Sequence, residues 1–254
     1  MKSNLEPFLG SFYSASLRGS MGDLAVPMWS AVELWGDKES PLNFRNCLVG
    51  SAEECARLWR LWCEKGFFEI DEEPAYYALE HRFSFRGKEH TRWAFFGSVS
   101  ALDGSVKIHE AVSAEGAENT RRRFELSQAD LTPIFVGIED REKKSLQTLL
   151  QGLLPDAEKI LQYDEPGISS HSLWRIGAGM ERVHRFFQDR ELFLLDGHHR
   201  FRGAQENQAR GLGDGRLLAC VTTISPEEVL ILAIHRAVVC EPWLLPEAAV
   251  AQVE

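Results

Sequence analysis

The segment DGHHR, residues 196–200, places five reactive or turn-forming residues directly after the apolar run LFLL, residues 192–195. The apolar run predicts a buried strand, and HHRFRGAQENQAR after Gly197 predicts a helix. The first amides of a helix have no partner inside it, and together with the helix dipole they attract anions such as phosphate. Gly197 permits a tight turn and close approach by a phosphate because it has no Cβ. The segment therefore predicts an anion site where a strand meets a helix.

Each polar side chain of this segment has a candidate role in such a site. Asp196 is suited to holding Mg²⁺ or to capping the helix, and Arg200 offers a forked donor to phosphate oxygens. His198 and His199 are suited to donating to the same oxygens or to moving a proton. The alternative is that Asp196 only caps the helix and the other side chains are solvated. A zinc site is disfavoured, because adjacent histidines diverge on a helix and no HxxxH pair is present.

A second group of candidates lies outside this segment. Glu110, in KIHEAV, is the candidate general base, and His109 is expected to orient it or to contact phosphate. The alternative for this pair is an exposed strand surface. The three consecutive arginines at residues 121–123 cannot all lie on one helix face, so only Arg123 is assigned as a substrate contact. The candidate substrate contacts are His109, Arg123, His171, His235 and Arg236.

The elements that must position these residues alternate along the chain. Interspersed strands and helices predict an α/β fold, with α+β left open, built on a mixed sheet with flanking helices. Ser51 and Glu54 have capping-box spacing and predict a helix start. AYYALEHRF and RWAFFGSVSAL predict two antiparallel strands, whereas residues 156–170 are interpreted as a loop or linker. Residues 1–254 are interpreted as one compact domain, with residues 1–50 poorly assigned and a nucleotide-binding core around 190–240.

Composition narrows the classes of function. The chain has 254 residues and a formal net charge of −10, which argues against a broad nucleic-acid surface. Its five cysteines include no CxxC pair and no zinc-ribbon spacing, a usage typical of a reducing compartment. We see no secretory signal, and no apolar stretch approaches the ~20 residues needed to span a bilayer. We therefore expect a cytoplasmic protein without a membrane partner.

Several segments together resemble one protein family. LFLLDGHHRFRGA resembles the signature of the family called domain of unknown function 1015. LWCEKGFFEIDEEPAYYALEHRF, KIHEAV, RRRFELSQADLTPIFVGIED, SSHSLWRI and AIHRAVV resemble other segments of that family in the same order. The resemblance extends from about residue 50 to about residue 240. One departure is that Val112 and Ser113 stand where the family usually has a threonine after its His-Glu motif.

The DGHHR unit is also similar to nucleotide-handling turns of the ParB and sulfiredoxin superfamily. That superfamily includes nucleotide-dependent kinases of free serine, CTP-binding partition proteins and sulfiredoxin. The resemblance implies a strand–DGHHR–helix core that holds nucleotide phosphates on residues 196–200, chiefly Gly197, His198, His199 and Arg200. Sulfiredoxin chemistry is disfavoured, because it needs a cysteine within this turn and none is present.

These arguments converge on a phosphotransferase acting on an alcohol group. The expected reaction is nucleotide-dependent phosphorylation of a small hydroxyl compound, such as free serine, with ATP or ADP as donor and Mg²⁺ held by Asp196. Glu110, Asp196 and His198 are the expected catalytic residues. The expected partners are a nucleotide and a small-molecule substrate, and a homodimer is left open. The alternatives are a ParB-like nucleotide-binding regulator without kinase activity and an inactive scaffold of the family.

Overall fold

The structure, a computed structural model, describes residues 3–24, 40–140, 144–165, 169–225 and 229. Its strands are β1 Ser11–Tyr13, β2 Phe68–Ile70, β3 Tyr76–Phe85, β4 Lys88–Ser100, β5 Val106–Lys107, β6 Ile134–Ile138, β7 Glu158–Glu165, β8 Ser169–Ile176, β9 Leu192–Asp196 and β10 Arg216–Thr223. Its α-helices are α1 Met21–Leu24, α2 Arg45–Val49, α3 Ala52–Glu64, α4 Ala114–Ser127, α5 Ser145–Gln151, α6 Met180–Phe187 and α7 His198–Ala209. Within these ranges, no helix combines the length and the apolar character needed to cross a bilayer.

Eight of the strands form one mixed sheet in the order β5-β9-β6-β10-β4-β3-β8-β7. Two neighbouring pairs are parallel, β5 with β9 and β6 with β10, and the other pairs are antiparallel. Strands β1 and β2 form a separate antiparallel pair. The predicted α/β class with a mixed sheet and flanking helices is confirmed.

Strands β3 and β4 form the antiparallel pair that the aromatic segments predicted. Phe85 pairs with Lys88, so only Arg86 and Gly87 form the turn. Their φ angles of 51° and 74° are both positive, as a two-residue type I′ hairpin turn requires. The polar residues between the two aromatic segments therefore continue the strands, because this turn matches the right-handed twist of the hairpin.

Helix α3 begins where its capping residues predicted. The Ser51 hydroxyl accepts a hydrogen bond from the Glu54 amide at 3.2 Å, which satisfies one free N–H group of the first turn. The helix buries Cys55 and Trp62 in a second apolar cluster, apart from the core of the large sheet. Partly buried residues also pack in this cluster: Leu42, Phe44, Leu58, Trp59, Phe67, Phe68 and Leu131.

The interpretation of residues 156–170 as a loop or linker was wrong. Residues Glu158–Glu165 form strand β7, which pairs with β8 at one edge of the large sheet. Charged side chains such as Lys159 and Glu158 are common on edge strands, where they discourage pairing with other chains. They also weaken the apolar alternation by which a strand is recognised, which explains the error.

One face of the large sheet carries the main core. Its strands contribute Phe95, Ile134, Val136, Leu194 and Val221, and its helices contribute Leu146, Leu150, Val183, Phe187 and Phe201. Most of these side chains are fully buried. At about 25 cal/mol per Å² of apolar surface, this burial is the dominant force that holds β6, β9 and β10 side by side. The packed core thus fixes the position at which β9 ends and α7 begins.

Candidate functional site

The candidate site is built around the turn that joins β9 to α7. Gly197 occupies the N-cap position with φ of 99°, a conformation that L side chains rarely adopt. It has no side chain to cap the helix, and Asp196 does not replace that function. The first-turn N–H groups of α7 therefore have no side-chain cap, and the alternative in which Asp196 only caps the helix is not observed.

Asp196 instead pairs with Arg200, one helical turn later. The Arg200 Nη2 atom lies 3.0 Å from Asp196 Oδ2, while the Asp196 side chain is 77% exposed. The pair holds the guanidinium beside the uncapped start of α7. Because only one carboxylate oxygen takes part, Asp196 keeps an accessible oxygen of the kind Mg²⁺ prefers.

Glu110 reaches this turn through the pairing of β5 with β9. The two strands are parallel, with Val106 opposite Leu192 and Lys107 opposite Phe193, so their carboxyl ends lie at the same end of the sheet. Three residues after Lys107, the Glu110 carboxylate lies 3.5 Å from the Nδ1 atom of His198. The sheet thus brings the predicted base to the predicted anion site across 87 intervening residues.

His109 joins the same cluster. Its ring meets that of His198 edge-on, with 4.7 Å between the ring centroids. One ligand atom from each of His109, Glu110 and His198 lies within 4.8 Å of the others, a spacing that suits a divalent cation. Two imidazoles and one carboxylate favour a transition metal such as Mn²⁺ or Zn²⁺ over Mg²⁺. The sequence argument against zinc concerns adjacent histidines and HxxxH pairs, and it does not cover this cluster, because His109 and Glu110 come from a distant segment.

The surroundings of His198 favour the neutral form of its imidazole. The residue is 8% exposed, and among the described residues its Nε2 atom has no hydrogen-bond partner. Burial lowers the pKa of His198, and His109 lowers it further, whereas the carboxylates of Glu110 and Asp196 raise it. A neutral ring at pH 7 is able to accept a proton or a metal ion, which a charged ring is not.

We therefore expect His198 to titrate below the ordinary value of 6.5, and we expect Glu110→Gln to lower its pKa further by removing a nearby negative charge. The unfolded chain then binds more protons than the folded one below about pH 6.5, so this residue reduces stability as the pH falls through that range. NMR titration of the imidazole Cε1–H signal measures both values. A pKa above 6.5, or one that rises in Glu110→Gln, would contradict this arrangement.

His199 points away from His198 and contacts helix α4. A Cβ atom added to Gly116 would lie 2.4 Å from the His199 ring, so the ring rests directly on this glycine. The Thr120 hydroxyl donates to the His199 carbonyl oxygen at 2.9 Å. His199 thus helps to join α4 to the start of α7, and its proposed contact with phosphate stays a prediction.

The three consecutive arginines of α4 are all engaged in internal interactions. Arg121 is buried and pairs with Glu118 and Glu125, and Arg122 pairs with Glu53. Two N–H groups of Arg123 donate to the carbonyl oxygens of Leu48, at 2.7 Å, and Gly50. Arg123 therefore ties α4 to the segment before α3, and its role in substrate binding stays a prediction.

The remaining predicted substrate residues do not join the cluster within the described structure. His171 lies on β8, five strands from β9 in the sheet order, a separation of about 24 Å at the usual strand spacing. It stacks on His81, with 4.3 Å between ring centroids. His235 and Arg236 lie outside the described residues.

Sequence reasoning missed Asp130, a carboxylate near the same end of the sheet. The residue is exposed but lies in a cleft, where loss of hydration around the carboxylate raises its pKa to about 6. The nearby charge of Asp214 raises this pKa too, while a hydrogen bond from the Leu218 amide and the charge of Arg200 lower it. In the sequence, Asp130 is recognisable only as an acidic residue shortly before the apolar segment that forms β6.

Of the comparisons with known proteins, the one with family models found a match. The model of a family described as "Protein of unknown function (DUF1015)" matches residues 39–254. Neither the comparison with curated proteins nor the comparison with solved structures found a match.

Proposed function

Because the chain belongs to the DUF1015 family, whose description names no activity, we propose its function from the site itself: a nucleotide-dependent kinase of a small hydroxyl compound. The favoured acceptor class is a free amino acid such as serine. We further propose that the strand, turn and helix formed by β9, Gly197 and α7 are related to the nucleotide-binding unit of the ParB and sulfiredoxin superfamily.

One observation carries the proposal. The Glu110 carboxylate lies 3.5 Å from His198 at the uncapped start of α7, so a candidate base and a candidate phosphate cradle share one place. Phosphoryl transfer depends mainly on positioning the two reactants and on stabilising negative charge, and these groups are suited to both tasks. The Arg200 guanidinium adds positive charge beside the cradle.

The proposed roles follow from these positions. The first-turn amides of α7 and the guanidinium of Arg200 bind the nucleotide phosphates. Glu110 accepts the proton of the acceptor hydroxyl, whose oxygen then bonds to the terminal phosphorus while the bond to the bridging oxygen breaks. The products are a phosphomonoester and the shortened nucleotide. Asp196 holds Mg²⁺, which when bound neutralises phosphate charge.

The direct test is transfer by the purified protein. We expect ATP or ADP, with Mg²⁺ and a panel of hydroxy amino acids, to give a new phosphomonoester signal in ³¹P NMR spectra. The signal should depend on both the acceptor and the divalent cation, and Mn²⁺ should be compared with Mg²⁺ because of the histidine-rich cluster.

The same experiment separates the alternatives. Nucleotide binding by calorimetry without transfer to any acceptor would favour a ParB-like regulator without kinase activity. Absence of binding for every nucleotide would remove both functions and leave an inactive scaffold of the family.

A further inference from the structure

A cavity of about 340 Å³ lies beside α7, in the size range of small-molecule pockets. Arg200, Gly203, Ala204 and Asn207 line it, and their i, i+3, i+4 and i+7 positions lie on one face of α7. Helix α4 forms another wall and packs closely, because a Cβ on Gly203 would lie 3.0 Å from a backbone nitrogen of α4. The cavity thus begins at the same turn of α7 that contributes Arg200 to the phosphate site.

Two residues that line this largely apolar cavity, Arg200 and Asn207, carry buried polar atoms without partners among the described residues. Asn207 is 2% exposed, and its Nδ2 donates to the Arg121 carbonyl oxygen at 3.2 Å, while its Oδ1 has no partner among the described residues. The buried Nε atom of Arg200 likewise has none there. An unpaired buried polar atom is unfavourable, so a ligand that reaches Asn207 Oδ1 and donates a hydrogen bond to it would remove this penalty.

The cavity and the His198–Glu110 cluster lie on opposite sides of α7. At about 100° per residue, His198 is about 200° from Arg200 and about 180° from Asn207 around the helix. The uncapped amides at the start of α7 lie between the two sides. Phosphates bound there would therefore have the acceptor hydroxyl and Glu110 on one side and the cavity on the other.

We infer that this cavity binds the nucleoside part of the nucleotide, an inference that rests on the proposed kinase function. Its apolar walls suit a planar base, and they include Phe124, Leu131, Leu212 and Leu217. Asn207 Oδ1 accepts an N–H group of the base, and the Asp130 carboxylate accepts a ribose hydroxyl. A small amino acid would fill little of this volume, and the proposed reaction places it beside Glu110.

The test compares a nucleotide with its phosphates alone. Calorimetry with ATP and with tripolyphosphate should show ATP binding to the unmodified protein at least about 10-fold more tightly, since one hydrogen bond to a charged group has an effect of this size. Asp130→Asn and the cavity-filling Ala204→Leu should each bring the Kd for ATP close to that for tripolyphosphate. Ala204→Leu should change the Kd for tripolyphosphate by no more than about 2-fold, which also shows that the phosphate site is folded. Asp130→Asn should not raise that Kd, because the negative charge it removes lies near Arg200.

Ala209→Leu is the matched control, because Ala209 is exposed on the same helix and does not line the cavity. It should bind ATP like the unmodified protein. Equal affinities for ATP and tripolyphosphate in the unmodified protein would overturn the nucleoside inference and leave the phosphate site intact. Unchanged ATP binding in Ala204→Leu, with a raised KM for the acceptor, would assign the cavity to the acceptor instead. Failure of both ligands to bind would overturn the proposed function and this inference together.

Discussion

Replacement of Glu110 by glutamine is expected to lower the rate of phosphoryl transfer by a factor of about 10²–10⁴, the usual contribution of a general base. Glutamine keeps the size and polarity of the side chain but cannot accept the proton of the acceptor hydroxyl. Because Glu110 lies on the His198 side of α7, away from the proposed nucleoside cavity, the Kd for ATP should change by less than about 3-fold. Steady-state kinetics and calorimetry on the same preparation measure the two quantities.

Glu115→Gln provides the control for this charge change. Glu115 is an exposed acidic residue in the first turn of α4, and it is not a member of the cluster with His109 and His198. We expect its transfer rate to stay close to that of the unmodified protein. A Glu110→Gln variant with an unchanged rate would refute the assignment of the base. Recovery of its rate at high Mn²⁺ concentration would instead identify Glu110 as a metal ligand.

The second large effect is expected for Gly197→Ala, which should destabilise the fold and weaken phosphate binding together. At φ of 99° an L residue is strained, at a cost of about 1–2 kcal/mol. The added Cβ would also lie 2.7 Å from Ile134 Cγ2 and 2.8 Å from Arg200 Nη2, an overlap that adds about 1–3 kcal/mol. Relief of this overlap would move the turn that supplies the first amides of α7.

Gly211→Ala separates backbone strain from steric overlap. Gly211 follows the end of α7 with φ of 76°, and a Cβ there would have no atom within 4 Å. Urea denaturation should therefore show the strain in both variants and the overlap only in Gly197→Ala. Tripolyphosphate binding should be weakened only in Gly197→Ala. Equal losses of stability in the two variants would show that Ile134 and the Arg200 side chain move aside without cost.

Local patterns predicted most of the elements that build the site. The strand ending at Asp196, the helix that follows Gly197 and the helix capped by Ser51 all form where short-range signals place them. These signals are reliable because a cap, a turn or an apolar period depends on residues only a few positions apart. Strand β7 escaped prediction because its position at the edge of the sheet requires little apolar alternation.

The sequence by itself determined the local framework of the turn: a helix that starts directly after a strand, with Gly197, His198 and Arg200 at or beside its first positions. Only the tertiary structure decided which distant residues join it. The parallel pairing of β5 with β9 brings Glu110 and His109 to His198, whereas the strand order places His171 five strands away. The close crossing of α4 and α7 at Gly203 similarly encloses the cavity that holds Asn207. Strand order and helix crossing depend on burial of the whole core, and no local spacing of residues encodes them.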